Sequence, residues 1–176
     1  GGLQHLAQEG WVPATIKHRE SKMKVNIRLK GAEGHWRDKD IWSFKVKIKS
    51  KNTLFGMKSF EFQAPRTRAF LNEWHWNQLL RDSGLIYLRY YFVELTINGK
   101  PLPVYAIEEN FEKRMIENNQ LRDGPIFRAG IYPRTTLPAT HVYQYKKRSQ
   151  DIKFMKLVKL AESRIEAFRQ GELSFN

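Results

Sequence analysis

One segment of the sequence, Phe92 to Phe111, carries the signals of a tight β-hairpin. It begins with an apolar run, turns at Asn98-Gly99, and returns through a second apolar run to Glu108 and Glu109. Asn-Gly favours the two-residue turn in which both central residues have positive φ. The segment therefore predicts two antiparallel strands, with the two glutamates just past the end of the second.

Two earlier segments alternate between apolar and mainly basic residues, Met23–Lys30 and Trp42–Lys49. A period of two residues is typical of a strand with one buried face. Two more strands are predicted, one over Trp11–Lys17 and one after a turn through Gly56, within Phe55–Phe62. These segments together predict an antiparallel sheet.

Helical spacing of apolar residues occurs in two places, Thr67–Asp82, which Gly84 ends, and Ser149–Arg169. The segment Phe111–Asn119 is predicted to form a short, strongly charged helix. Asp151 is interpreted as the cap of the last helix. Strands followed by a helix and then by further strands predict an α+β fold, an antiparallel sheet with packed helices.

The chain is strongly basic, with 31 Lys and Arg against 18 Asp and Glu and a formal net charge of +13. Such a surplus favours an anionic partner: nucleotide phosphates, nucleic acid, an anionic membrane or an acidic protein segment. The absence of cysteine excludes disulfides, cysteine-based zinc sites and thiol nucleophiles. No apolar run approaches the ~20 residues that span a bilayer.

The basic faces of the alternating strands have two interpretations. They form a solvated sheet surface, or neighbouring strands combine Arg28, Lys45 and Lys47 into one cationic patch for phosphate. The sequence leaves both interpretations open.

Several short motifs recur in a defined order along the chain. They are Arg28-Leu29-Lys30-Gly31, His35-Trp36 before the basic strand Trp42–Lys47, the Gly-centred turn Leu54–Lys58, Arg68 at a helix start, and the hairpin set Val93, Asn98, Gly99, Tyr105 and Glu109. Over Lys24–Arg128 this order resembles the N-terminal half of the CotH kinase family, the spore-coat protein kinase-like proteins. The chain departs from the family pattern at Pro103 and in the segment before Arg68.

The resemblance implies an atypical protein-kinase-like fold, of which this chain would hold the N-terminal lobe. It implies phosphate transfer from ATP, with Mg or Mn, to serine or threonine of coat or surface proteins. Lys45 or Lys47 would be the phosphate-binding lysine, and Arg28 and Arg68 would make further phosphate contacts. Glu109 would lie beside the nucleotide cleft and hold the lysine in place.

The same resemblance divides the chain into a lead-in with the first strand (1–22), the kinase-like lobe (23–130), and a loop and C-terminal helix (131–176). It places the catalytic and metal-binding aspartates beyond Asn176, so the domain is expected to be truncated there and inactive alone. An acidic C-terminal half of the same domain is then a candidate partner. A bacterial protein of the spore coat, the cell envelope or the secreted fraction is implied by the resemblance only.

Two alternatives come from other classes of protein. A nucleic-acid-binding module would use the basic strand faces for phosphate contacts. It would use nearby aromatic residues for base stacking, such as Trp36, Tyr87, Tyr90 and Tyr91. A structural or assembly domain would keep the scaffold without catalysis and bind an acidic partner.

Overall fold

The computed structural model describes residues 10–30, 42–129, 140–143 and 145–173. The chain divides into two compact units, residues 1–120 (unit 1) and 121–176 (unit 2). Gly31 and His35-Trp36, which contribute to the sequence motifs, lie outside the described residues.

Unit 1 is built on a six-stranded antiparallel sheet, and this confirms the predicted α+β fold. Its strands are β1 (Val12–His18), β2 (Ser21–Lys30), β3 (Ser43–Ile48), β4 (Ser59–Gln63), β5 (Tyr90–Val93) and β8 (Tyr105–Glu109). They lie in the order β1-β2-β3-β4-β8-β5, so that β8 separates β4 from β5. Two short strands, β6 (Thr96–Ile97) and β7 (Lys100–Pro101), pair separately.

The sequence alternation gives the sheet two different faces. The apolar face carries a buried core of Met23, Val25, Val46, Ile48, Leu54, Met57, Phe60, Phe62, Tyr105 and Ile107. At about 25 cal/mol per Å² of apolar surface removed from water, this burial is the main force that holds the strands together. The opposite side, here called the polar face, carries Arg28, Lys45, Glu61, Glu108 and Tyr90.

The predicted turn at Asn98-Gly99 is confirmed, with φ of 51° and 80°. The strands on either side are interrupted, since β5 pairs with β8 and only the short β6 and β7 flank the turn. Pro103, which lies between β7 and β8, has no N–H to donate to the ladder. The expectation that the glutamates follow the strand is wrong, because Glu108 and Glu109 are the last two residues of β8.

The single helix predicted over Thr67–Asp82 is also wrong. A 3-10 helix (Pro65–Arg68) is followed by α1 (Asn72–Asp82), and the two are separated at Ala69 and Phe70. Both residues have positive φ, 48° and 57°, which no α-helix accommodates. The predicted apolar stripe is largely exposed, and the one buried residue of α1 is Asn77.

A shorter helix, α2 (Lys113–Asn118), follows the sheet and buries Met115 and Ile116. It confirms the helix predicted over 111–119. Asn119, at its end, is bound to the backbone of Tyr87 through both side-chain atoms, at 3.0 Å each. This pair of hydrogen bonds holds the end of α2 against the segment that enters β5.

Unit 2 contains a two-stranded ribbon, β9 (Phe127–Ala129) with β10 (Thr140–Val142), and the helices α3 (Tyr145–Arg148) and α4 (Ile152–Arg169). The Asp151 carboxylate accepts a hydrogen bond from the backbone N–H of Phe154 at 3.0 Å, and this confirms the predicted cap. Phe154 and Val158 are the buried residues of α4.

Candidate functional site

A row of charged side chains crosses the polar face from β2 to β5. Arg28 lies opposite Lys45, Lys45 opposite Glu61, Glu61 opposite Glu108, and Glu108 opposite Tyr90. Neighbouring strands lie only about 4.8 Å apart, so these side chains form one continuous row. The alternation of the sequence places them there, since each occupies the polar side of its own strand.

Glu61 is the centre of this row, and its side chain is 7% exposed. Its Oε1 lies 2.9 Å from Nζ of Lys45, and its Oε2 accepts a hydrogen bond from Nζ of Lys30. A buried carboxylate between two ammonium groups has its charge compensated on both oxygens. Glu61 thereby fixes the position of the Lys45 ammonium on the sheet.

Gln63 connects the two buried carboxylates of the polar face. Its Nε2 donates to Oε2 of Glu61 at 3.0 Å and also to Oε2 of Glu108. Its Oε1 accepts a hydrogen bond from Nε of Arg68 at 3.0 Å, and Arg68 also lies 3.9 Å from a Glu73 oxygen. Arg68 is therefore held at the margin of the row by the 3-10 helix and the start of α1.

We call Lys30, Lys45, Glu61, Gln63, Arg68 and Glu108 the charged cluster. Burial shifts the pKa of two of its groups, Lys30 and Glu108. Burial lowers the pKa of Lys30 from 10.5 to about 8, and burial raises the pKa of Glu108 above its ordinary value. Both shifts oppose ionisation, so the cluster holds its charges at a cost to the free energy of folding.

Glu108→Gln is expected to raise the melting temperature at neutral pH. The folded protein retains the Glu108 proton to a higher pH than the unfolded chain, so stability falls as the pH rises from about 4.5 through the folded pKa. The full penalty is present above that window, and the neutral amide removes it. Thermal melts of both proteins across the window measure the effect. A variant that melts below the wild type at neutral pH would contradict this assignment.

Arg28 and Lys47 lie on the polar face beside the cluster and converge on one aromatic ring. The Arg28 guanidinium lies 5.0 Å, and the Lys47 ammonium 4.7 Å, from the centre of the Trp11 ring. Nε of Arg28 is buried and has no hydrogen-bond partner among the described residues. A buried donor without a partner is costly, so this atom is suited to a ligand acceptor.

Glu109 lies on the opposite face from the other four predicted site residues. It is opposite Phe60 on the apolar face, and its carboxylate is bound by Arg89. The structure thus brings Arg28, Lys45 and Lys47 together on the polar face, with Arg68 at the margin of the row, and separates Glu109 from them. The acid beside Lys45 is Glu61.

Sequence reasoning did not single out Glu61, Gln63 or Lys30. A signal was present in the segment Ser59–Gln63, where Glu and Gln alternate with two phenylalanines. That period places Glu61 and Gln63 on the side away from the core. Their partners were not visible in the sequence, because pairing of β4 with β8 is a long-range contact.

Two absences among the described residues complement this geometry. Within the described residues, no helix is long and apolar enough to cross a membrane. The same residues contain no group of three or more His, Asp or Glu side chains that could hold a metal ion.

Comparison with known proteins identifies the family. No curated protein matches the chain. The family model described as CotH kinase protein matches residues 27–168, which include β3, β4, β8 and nearly all of α4. The match therefore continues past Arg128, where the resemblance noted in the sequence ends, and covers most of the 176 residues. The chain belongs to the CotH kinase protein family.

Proposed function

We propose that this chain carries the nucleotide-binding part of a CotH-like protein kinase. Such a kinase would transfer phosphate from ATP to serine or threonine of coat or surface proteins. Family membership supports the reaction class, and the charged row on the polar face supports the location of the nucleotide.

The observation that carries the proposal is the Lys45–Glu61 pair. Phosphoryl transfer depends mainly on positioning and on neutralisation of the phosphate charge, so a cation in a fixed position is required. Lys45 is held at 2.9 Å by a buried carboxylate on a central strand of the sheet. The Lys45 side chain is 32% exposed, so a phosphate oxygen can approach it from solvent.

Arg28 and Arg68 would supply the further phosphate contacts. Arg28 lies opposite Lys45 in the register of β2 and β3, and its buried Nε donor has no described partner. Arginine binds phosphate through two parallel N–H groups, a geometry that lysine lacks. Lys47, two residues along β3, would add a third cation on the same strand face.

The residues present fit the phosphates of ATP better than they fit a metal ion. Arg28, Lys45 and Lys47 lie on the polar face with Arg68 at its margin, and the buried Glu61 already has Lys30 and Lys45 as partners. Mg or Mn would enter with the nucleotide and reduce the repulsion among its phosphate oxygens. Glu109 lies on the apolar face and would contribute indirectly, by stabilising the sheet that carries Lys45.

The proposal is tested by melting the wild-type chain in three conditions: alone, with Mg-ATP, and with a single-stranded oligonucleotide. The nucleotide proposal predicts a higher melting temperature with Mg-ATP and little change with the oligonucleotide at physiological salt. A salt-sensitive rise with the oligonucleotide alone would instead support a nucleic-acid-binding module. No rise with either ligand would support a structural or assembly domain.

A further inference from the structure

Five lysines form a second basic surface on the polar face, toward the β1–β2 turn. Lys17 lies directly opposite Lys22, and Lys49 donates its backbone N–H to the carbonyl of Lys24 at 3.0 Å. Lys47 is two residues before Lys49. We call Lys17, Lys22, Lys24, Lys47 and Lys49 the lysine array.

The array is exposed and has little internal charge compensation. All five lysines are exposed, and within the described part of the chain Lys17, Lys22, Lys24 and Lys49 take part in no ion pair. Residues 10–30 contain one acid, Glu20, and residues 42–58 contain none. Like charges directly opposite each other destabilise a sheet. An anionic partner would reduce the repulsion among these lysines, so its binding to this surface is favoured.

The spacing of the array matches an extended polypeptide. Alternate residues of a strand stand about 6.8 Å apart on the same face, which is the repeat of Lys22 and Lys24 on β2 and of Lys47 and Lys49 on β3. An extended peptide repeats its own alternate side chains at the same distance. An acidic residue at every second position would therefore meet one lysine after another.

We propose that the lysine array is a docking surface for an extended acidic peptide segment whose carboxylates occur at alternate positions. The peptide would lie along β2 and β3 on the polar face. Lys22, Lys24 and Lys49 are distinct from the residues proposed to bind the nucleotide, so docking does not depend on that proposal.

The chemistry of the surface favours a peptide over nucleic acid. Single-stranded nucleic acid is held by aromatic rings that stack with the bases, in addition to cations. Among the described residues on this face of β1–β3, Trp11 is the only aromatic one, and Arg28 and Lys47 already face its ring. The array itself contains only lysines, at the regular spacing of alternate residues along a strand, and no ring on which a base could stack.

The test compares two labelled peptides of equal composition by fluorescence anisotropy at low salt. One alternates glutamate and threonine, and the other carries the same residues as Glu-Glu-Thr-Thr repeats. The variant Lys22→Gln, Lys24→Gln, Lys49→Gln is compared with Lys153→Gln, Lys156→Gln, Lys159→Gln, which removes three exposed lysines from α4. Both variants lose the same net charge. A difference in affinity between them therefore reports the position of the lysines and not the overall charge.

The alternating peptide is expected to bind the wild type several-fold more tightly than the paired peptide. The Kd of the alternating peptide should be roughly tenfold higher for the array variant, since three exposed ion pairs each contribute about a factor of two to three in affinity. The α4 variant should leave Kd within about a factor of two. The array variant should also melt no lower than the wild type and should retain any response to Mg-ATP, because it removes like-charged neighbours outside the nucleotide site.

Four results would overturn the proposal. They are no binding of the alternating peptide, equal affinity for the two peptides, an equal loss in both variants, and tighter binding of a single-stranded oligonucleotide of the same charge. If the oligonucleotide binds more tightly than the peptide and the array variant abolishes that binding, the surface is assigned to nucleic acid.

Discussion

Glu109→Ala is expected to destabilise the protein by about 3 kcal/mol, because it leaves the Arg89 guanidinium largely buried without its carboxylate. The side chains of Arg89 and Glu109 are 13% and 0% exposed. Nε of Arg89 donates to Glu109 at 3.0 Å, its NH2 group donates to the other oxygen, and its backbone N–H donates at 3.1 Å. One carboxylate therefore satisfies three donors.

The same guanidinium extends the effect to the turn at Phe55-Gly56. Nη1 of Arg89 donates to the Phe55 carbonyl at 3.1 Å, and both turn residues have positive φ. Removal of Glu109 releases the Arg89 guanidinium, which holds this turn. The loss in the free energy of unfolding therefore includes the contact with Phe55 as well as the ion pair. A melting temperature lower by about 10 °C is expected for a chain of this size.

Urea denaturation of the purified variant measures the loss directly. Glu94→Ala is the matched control, because Glu94 is an exposed glutamate between β5 and β6, and its loss should change the free energy of unfolding by less than about 0.5 kcal/mol. A cost for Glu109→Ala as small as that of the control would contradict a structural role for the Arg89–Glu109 pair.

Lys45→Ala is expected to abolish most of the stabilisation by Mg-ATP. A ligand at 100 times its Kd adds about 2.7 kcal/mol to the free energy of unfolding, which corresponds to several degrees in melting temperature. Without the Lys45 ammonium, the phosphates lose the cation that Glu61 positions at 2.9 Å. Melting curves with and without Mg-ATP give the difference for each protein.

The unliganded Lys45→Ala variant should remain folded, because Glu61 keeps its contacts with Lys30 and Gln63. Lys153→Ala is the control of equal charge, since Lys153 is exposed on α4. It should keep the rise with Mg-ATP. An undiminished rise in Lys45→Ala would remove Lys45 from the nucleotide site.

Patterns confined to a few residues predicted much of this fold. Alternation placed Val25 and Val46 in the core and Arg28 and Lys45 on the polar face, because side-chain direction along a strand depends only on parity. Asn98-Gly99 predicted its turn because positive φ is a local preference.

Features that depend on distant contacts were not predictable. The face occupied by Glu109 follows from its position within β8 and from the pairing of β8 with β4, which is distant in the chain. Its partner Arg89 lies before β5, outside any motif. The sequence therefore suggested Glu109 as the acid beside a lysine, whereas long-range register places Glu61 in that position.

The break between the 3-10 helix and α1 had no clear local signal either. Ala69 and Phe70 are not residues that favour positive φ, and an apolar period continues through them. Tertiary contacts outweigh this period: Arg68 binds Gln63, and Asn77 binds the backbone of Leu88. The result places Arg68 beside Gln63, within the charged cluster.

The central claim is that the polar face of the sheet binds a nucleotide at Lys45. Its most direct test is titration of the nitrogen-15-labelled chain with Mg-ATP, followed by NMR of the backbone amides. The account predicts that the largest saturable shifts occur at and next to Arg28, Lys45 and Glu61, with small shifts along α4. Shifts confined to unit 2 or to Lys17, Lys22, Lys24 and Lys49, or no saturable shift at all, would contradict it.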